Sequence, residues 1–103
     1  MKTPEGTPKS DIKAWLKEQG AYVFSPVQTG YGKRTLDLLV CWQGLFVGIE
    51  VKRPGKVATP LQAVIICEIQ DAGGISFCVD SLEACKEQFN LLHDDLLIDK
   101  YDD

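Results

Sequence analysis

Apolar residues recur along the chain with two different periods. Ile12, Trp15 and Leu16 follow the i, i+3, i+4 rule of a helix, with Thr7 as N-cap, Pro8 at the first helical position and Gly20 as the stop. Lys9, Lys13 and Lys17 run at i, i+4, i+8 beside that apolar stripe. A short strand is expected over residues 21–25, then a glycine-containing loop over 26–33. Alternation takes over in residues 35–42 and 45–52, two strands joined by Gln43-Gly44. Thr59, Pro60 and Gln62 spell a capping box that opens a helix over 60–72, with Leu61, Val64, Ile65 and Ile69 on one face and Gly73-Gly74 ending it. Residues 75–79 read as an apolar strand and 81–92 as a helix carrying Leu82, Cys85 and Phe89. Residues 93–103 read as an acidic tail with an apolar cluster at Leu96, Leu97 and Ile98. The expected class is α/β (α+β). A small mixed sheet with a central antiparallel hairpin is flanked by helices in the order α-β-β-β-α-β-α, in one domain over residues 1–92.

The chain's 103 residues suffice for one core without disulfide or metal staples. No stretch reaches the ~20 consecutive apolar residues of a membrane span, and the opening residues lack the apolar run of a signal peptide. A small soluble cytoplasmic protein with no membrane partner is therefore expected. Cys41, Cys67, Cys78 and Cys85 show no C-x-x-C spacing and sit among apolar neighbours, so they read as reduced, buried small hydrophobes. The single histidine, His93, has no sequence partner for a zinc site or a nucleophile.

Charge divides unevenly along the chain. Residues 1–60 hold nine basic residues against five acidic ones, whereas residues 61–103 hold two against ten. The net charge of −4 repels nucleic acid overall. The basic first half still permits a local patch that faces phosphate.

The register of the central hairpin carries the chemistry. A two-residue turn at Gln43-Gly44 pairs Leu36, Leu38, Val40 and Trp42 with Val51, Ile49, Val47 and Leu45 on one apolar face. The opposite face then pairs Thr35 with Lys52, Asp37 with Glu50, Leu39 with Gly48 and Cys41 with Phe46. Facing carboxylates repel, so one of the two should have a raised pKa. Two readings fit: a hard divalent cation with oxygen ligands, or a surface Asp–Lys–Glu cluster bridged by solvent.

Asp37, followed by Glu50-Val51-Lys52, resembles the core motif of the PD-(D/E)XK nuclease superfamily. Together with Glu5, the segments 32–40 and 48–55 and the Thr59-Pro60-Leu61-Gln62 helix start, residues 3–81 resemble a VRR-NUC (virus-type replication-repair nuclease) domain of the stand-alone phage or bacterial type. One departure stands in the motif: Leu36 precedes the aspartate where that family usually has proline.

The resemblance implies a restriction-endonuclease-like fold. It also implies Mg²⁺- or Mn²⁺-dependent hydrolysis of DNA phosphodiesters at four-way (Holliday) junctions or other branched DNA, by a homodimer. Its metal ligands would be Asp37, Glu50 and the Val51 carbonyl, with Lys52 orienting water or stabilising charge on the phosphate, and Gln62 and Glu5 completing the catalytic set. The bland reading of Gln62 is the capping box alone, and that of Glu5 a first-turn acid favoured by the helix dipole. Lys33, Arg34, Arg53 and Lys56 are candidate DNA contacts on two loops, and the Lys9, Lys13 and Lys17 stripe either extends them or is a solvated helix face. Trp42 and Phe46 at the hairpin tip and the apolar cluster at residues 96–98 are candidate dimer contacts. The competing functions are a module that grips branched DNA without cutting it and a protein adaptor using the acidic second half.

Overall fold

The computed structural model describes residues 7–28 and 34–101, with residues 95–101 as helix backbone only. The elements follow the expected order: α1 (Lys9–Glu18), β1 (Tyr22–Phe24), β2 (Leu38–Trp42), β3 (Leu45–Val51), α2 (Pro60–Asp71), β4 (Ile75–Val79) and α3 (Leu82–Tyr101). They build a four-stranded mixed sheet in the order β1-β2-β3-β4, antiparallel except for the parallel β3–β4 pair. Among the described residues, no helix is long and apolar enough to cross a membrane.

The β2–β3 hairpin has the expected register, Leu38 facing Ile49 through to Trp42 facing Leu45. Gln43 and Gly44 both take positive φ, 53° and 79°, the mark of a two-residue turn matched to strand twist. Leu38, Val40, Val47, Ile49 and Val51 point to one side, where Ile12 and Leu16 of α1 and Cys85 and Phe89 of α3 close the core. Phe89 meets Trp15, Trp42 and Phe77 edge-on at ring-centroid distances of 5.6, 5.1 and 6.1 Å, tying α1, β2 and β4 to α3. Trp42 is thus a core residue and not an exposed hairpin-tip contact.

The ladder stops earlier than the alternation predicts. β2 begins at Leu38, with Asp37 in a bend, so the expected Leu36–Val51 and Asp37–Glu50 rungs do not form. The Asp37 carboxylate instead accepts the Val51 N–H at 3.0 Å, replacing the main-chain partner. Leu36 turns to the α2 side of the sheet and is fully buried there. Its Cδ1 lies 3.2 Å from where a Cβ on Gly48 would stand.

Helix ends differ in detail. Pro8 itself is the N-cap of α1, with no side-chain cap, because a helix opening at Lys9 leaves Thr7 one residue too early. The α2 capping box forms as expected, Thr59 Oγ1 accepting from Gln62 N–H and Gln62 Oε1 from Thr59 N–H. α3 runs on through the segment read as an acidic tail, since nothing between Leu92 and Tyr101 breaks a helix.

α2 covers only the β3–β4 half of its side of the sheet, contacting those two strands. Tyr22, Phe24 and Phe46 on that side, and Leu61 and Val64 on α2, remain exposed. Cys41 is exposed there too, and Cys67 on the outer side of α2, against the expectation that all four cysteines are buried. Cys78 is half-buried, and only Cys85 is enclosed; burial pushes its thiol pKa up to about 12.

At Gly48 the sheet and α2 approach closely. A Cβ there would come within 2.7 Å of Ile69 Cδ1 and 3.2 Å of Ser76 Oγ, which itself donates to the Gly48 carbonyl at 3.1 Å. Gly48→Ala should cost about 1–3 kcal/mol by overpacking, read from urea denaturation. A loss below ~0.5 kcal/mol would show that Ile69 and Leu36 move aside freely.

Candidate functional site

β3 delivers Glu50, Val51 and Lys52 in sequence to its C-terminal end. The parallel pairing with β4 continues past the strand, Lys52 N–H donating to the Val79 carbonyl at 2.9 Å, so Lys52 is held on a fixed backbone. Glu50 is a buried acid, 4% exposed. The bend at Asp37 brings a second carboxylate against it, close enough for its charge and polar groups to act on Glu50. The pair argued from the hairpin is therefore together, through the bend and not across a ladder rung.

Burial, and then the charge of Asp37, push the Glu50 pKa up to about 7, against the lowering effect of Lys52. The Lys52 ammonium lies 3.7 Å from Glu50 Oε2. One cation beside two carboxylates leaves the pair short of positive charge. Among the described residues no group of three or more His, Cys, Asp or Glu gathers to ligate a metal. Two carboxylates beside the Val51 main chain match the sparse oxygen donor set of Mg²⁺ or Mn²⁺, which leaves room for water and phosphate oxygens. They do not match a closed zinc or calcium cage.

Asp37, Val51 and Lys52 open on a cleft of about 480 Å³ that is also lined by Thr7, Lys9, Arg53, Lys56, Val57 and Thr59. Arg53 and Lys56 stand on one tight turn, closed by Lys56 N–H donating to the Arg53 carbonyl at 3.0 Å. Gly55 in that turn has φ +83°, and its N–H is held by the Asp80 carboxylate at 2.9 Å. Asp80 gave no signal in the sequence, because it lies 25 positions from the glycine it anchors. Thr7 and Lys9 form the wall contributed by the start of α1; only the approach of that helix to the sheet reveals them as cleft residues.

Other expected site residues fall elsewhere. Arg34 lines a separate apolar cavity of about 460 Å³ beneath α2, with Leu39, Phe46, Ile65 and Ile69. It is not among the cleft residues beside Arg53 and Lys56. Gln62 is half-buried at the third position of α2, is not among the cleft-lining residues, and its Oε1 is engaged by the cap. That oxygen keeps a second lone pair, and the amide nitrogen is a donor suited to phosphate. Glu5 and Lys33 lie outside the described residues. Gln28 was not singled out in the sequence: its amide donates to the Thr35 carbonyl at 2.8 Å and accepts from Thr35 N–H, fixing the approach to Asp37.

The chain was compared with protein-family models and with curated proteins, and none matches it.

A glutamate pKa raised from 4.5 to about 7 has a definite sign in stability. The folded state binds this proton more tightly, so its contribution is complete below pH ~4.5 and lost as pH rises through ~7. In EDTA, Glu50→Gln should match the wild type at pH 4 and exceed it by roughly 2–3 kcal/mol at pH 8, read from urea denaturation at both pH values. A variant no more stable at pH 8 than at pH 4, relative to wild type, would show that Glu50 ionises without penalty.

Proposed function

We propose that this protein is a metal-dependent, structure-selective DNA endonuclease acting on four-way junctions or other branched DNA. The observation that carries this reading is the buried Glu50 held against Asp37, with Lys52 3.7 Å away, where Asp37 and Lys52 open on a cleft whose other walls include Lys9, Arg53, Lys56 and the hydroxyls of Thr7 and Thr59. A DNA-binding module without catalysis has no use for two adjacent acids that repel its ligand. The resemblance of Asp37 and Glu50-Val51-Lys52 to the PD-(D/E)XK motif points the same way.

Asp37, Glu50 and the Val51 carbonyl would hold Mg²⁺ or Mn²⁺. When bound, such an ion supplies Lewis-acid polarisation of the phosphodiester and lowers the pKa of water. The chain's own residues do the rest. Asp37 and Glu50, once ionised, provide the negative charge that selects a divalent cation. Lys52, fixed by its backbone bond to Val79, donates to the non-bridging phosphate oxygen where charge builds during the displacement. Arg53 and Lys56 grip flanking phosphates from the turn that Asp80 braces, positioning the strand without reading its sequence. The amide nitrogen of Gln62 is a further donor toward phosphate. Glu5 remains a candidate for the metal shell and Lys33 for the DNA contacts. A nuclease of this kind works where cellular or phage DNA is exposed, in the cytoplasm of a bacterial cell.

The uncovered apolar face formed by Tyr22, Phe24 and Phe46 suits a second copy of the chain. Two symmetric cuts in a junction need two active sites related by a two-fold axis.

Incubation with four-way, flap and linear DNA, with and without Mg²⁺, tests the activity on denaturing gels. Nicked junction arms that depend on Mg²⁺ or Mn²⁺ are expected. Asp37→Asn and Lys52→Ala should each lower the cleavage rate by at least ~10²-fold while leaving the fold intact. Junction binding without cleavage at any divalent metal concentration would favour the non-cutting module instead. Sedimentation should give a dimer for the wild type and a monomer for Phe24→Lys combined with Phe46→Lys. An unaltered sedimentation coefficient would place the dimer contact elsewhere.

A further inference from the structure

The cleft does not end at Lys9. Thr7 and Lys9 also line a second groove, of about 560 Å³, whose other walls are Ser10, Lys13, Ala14, Lys17 and Ser25. The two depressions therefore share a border. Among the described residues, together they are lined by six basic side chains, Lys9, Lys13, Lys17, Lys52, Arg53 and Lys56, against one carboxylate, Asp37. This is more than half of the chain's eleven lysines and arginines, in a protein whose net charge is −4. The two acids of α1, Asp11 and Glu18, are not among the groove residues.

From this we infer that the α1 groove is a second nucleic-acid subsite, which carries the phosphate backbone of one DNA arm away from the cleft. The inference rests on the nuclease reading for its location but not for its chemistry. Three features favour a phosphate backbone over an acidic peptide. Lys9, Lys13 and Lys17 recur every four residues, so they step ~6 Å along the helix axis. That is close to twice the ~3.4 Å axial rise between phosphates of one duplex strand. Thr7, Ser10 and Ser25 place hydroxyl donors among the ammonium groups, a pairing suited to phosphate oxygens. The shared wall at Thr7 and Lys9 gives the strand an unbroken path from Lys52 to Lys17. Ala14, the one apolar group in the groove, lets the strand approach the helix closely. The subsite positions substrate and takes no part in bond breaking.

The test uses Lys13→Gln combined with Lys17→Gln, two side chains outside the core, with unfolding temperature as the control for folding. Fluorescence anisotropy in EDTA, with a labelled four-way junction over a range of salt, should show binding weakened on the order of tenfold. The slope of log K against log salt should fall by roughly two, one for each lost phosphate contact. In Mg²⁺ the change should fall mainly on the junction concentration giving half-maximal cleavage. A wild-type slope retained by the double variant overturns the subsite while leaving cleavage, and so the nuclease reading, standing. Weakened binding by the variant in a protein that never cuts DNA supports the subsite and removes the nuclease. A wild type that does not bind DNA, or polyglutamate that displaces the junction as well as unlabelled DNA does, overturns the inference.

Discussion

The Asp37 carboxylate accepting the Val51 N–H at 3.0 Å is the bond on which the site's geometry depends. It ends the hairpin ladder before the expected Asp37–Glu50 and Leu36–Val51 rungs by giving β3 a side-chain partner where β2 would otherwise supply a carbonyl. Two things follow from the resulting bend. Leu36 crosses to the α2 layer and fills the space that Gly48 leaves open. Asp37 stays beside Glu50 and reaches the cleft, which a regular strand pleat fixed under α2 would not assure. The same oxygen atom thus sets backbone register and local charge, and a neutral residue of similar shape would disturb the second far more than the first.

The electrostatics work by contrast. Charge of one sign over a whole protein acts at long range and is screened within about 10 Å in ordinary salt, whereas a cleft with low-dielectric walls concentrates the field of the groups lining it. An acidic body with six of its eleven cations along two adjoining grooves would attract a polyanion chiefly there. Arg53 and Lys56 stand on a turn braced by Asp80, which fixes the backbone that presents them. The Gly55 left-handed conformation and the Asp80 brace are two halves of that one device.

What was legible in the sequence was whatever local physics decides. Gln43-Gly44 admits the positive φ values of a tight turn, and one wholly apolar set of strand residues then leaves a single register. Thr59, Pro60 and Gln62 start α2 for reasons contained within four residues. The parts that were not legible depend on contacts distant in sequence. Alternation alone put Leu36 on the α1 and α3 side, because it cannot see a side-chain carboxylate displacing a ladder bond. The apolar neighbours of Cys41 placed it in the interior, because they do not reveal that α2 covers only half of its face. Arg34 adjoins the motif in sequence, yet the bend sends it to the cavity beneath α2. Lys9 and Thr7 reach the cleft only because α1 packs across the far side of the sheet.

Gln62 shows how one residue type can satisfy two levels of explanation. A capping box needs its oxygen, and the structure uses that oxygen for Thr59. A primary amide carries its donor and acceptor on different atoms, so capping fixes the rotamer and leaves the NH₂ group pointing by consequence and not by chance. Helix start and the proposed contact with phosphate would then not be rivals. The cap orders the side chain in advance, and an ordered donor loses less rotamer entropy when a phosphate arrives than a free one would. The helix N-terminus behind it adds its own partial positive charge, so the cap and the charge pattern of the cleft act in the same direction.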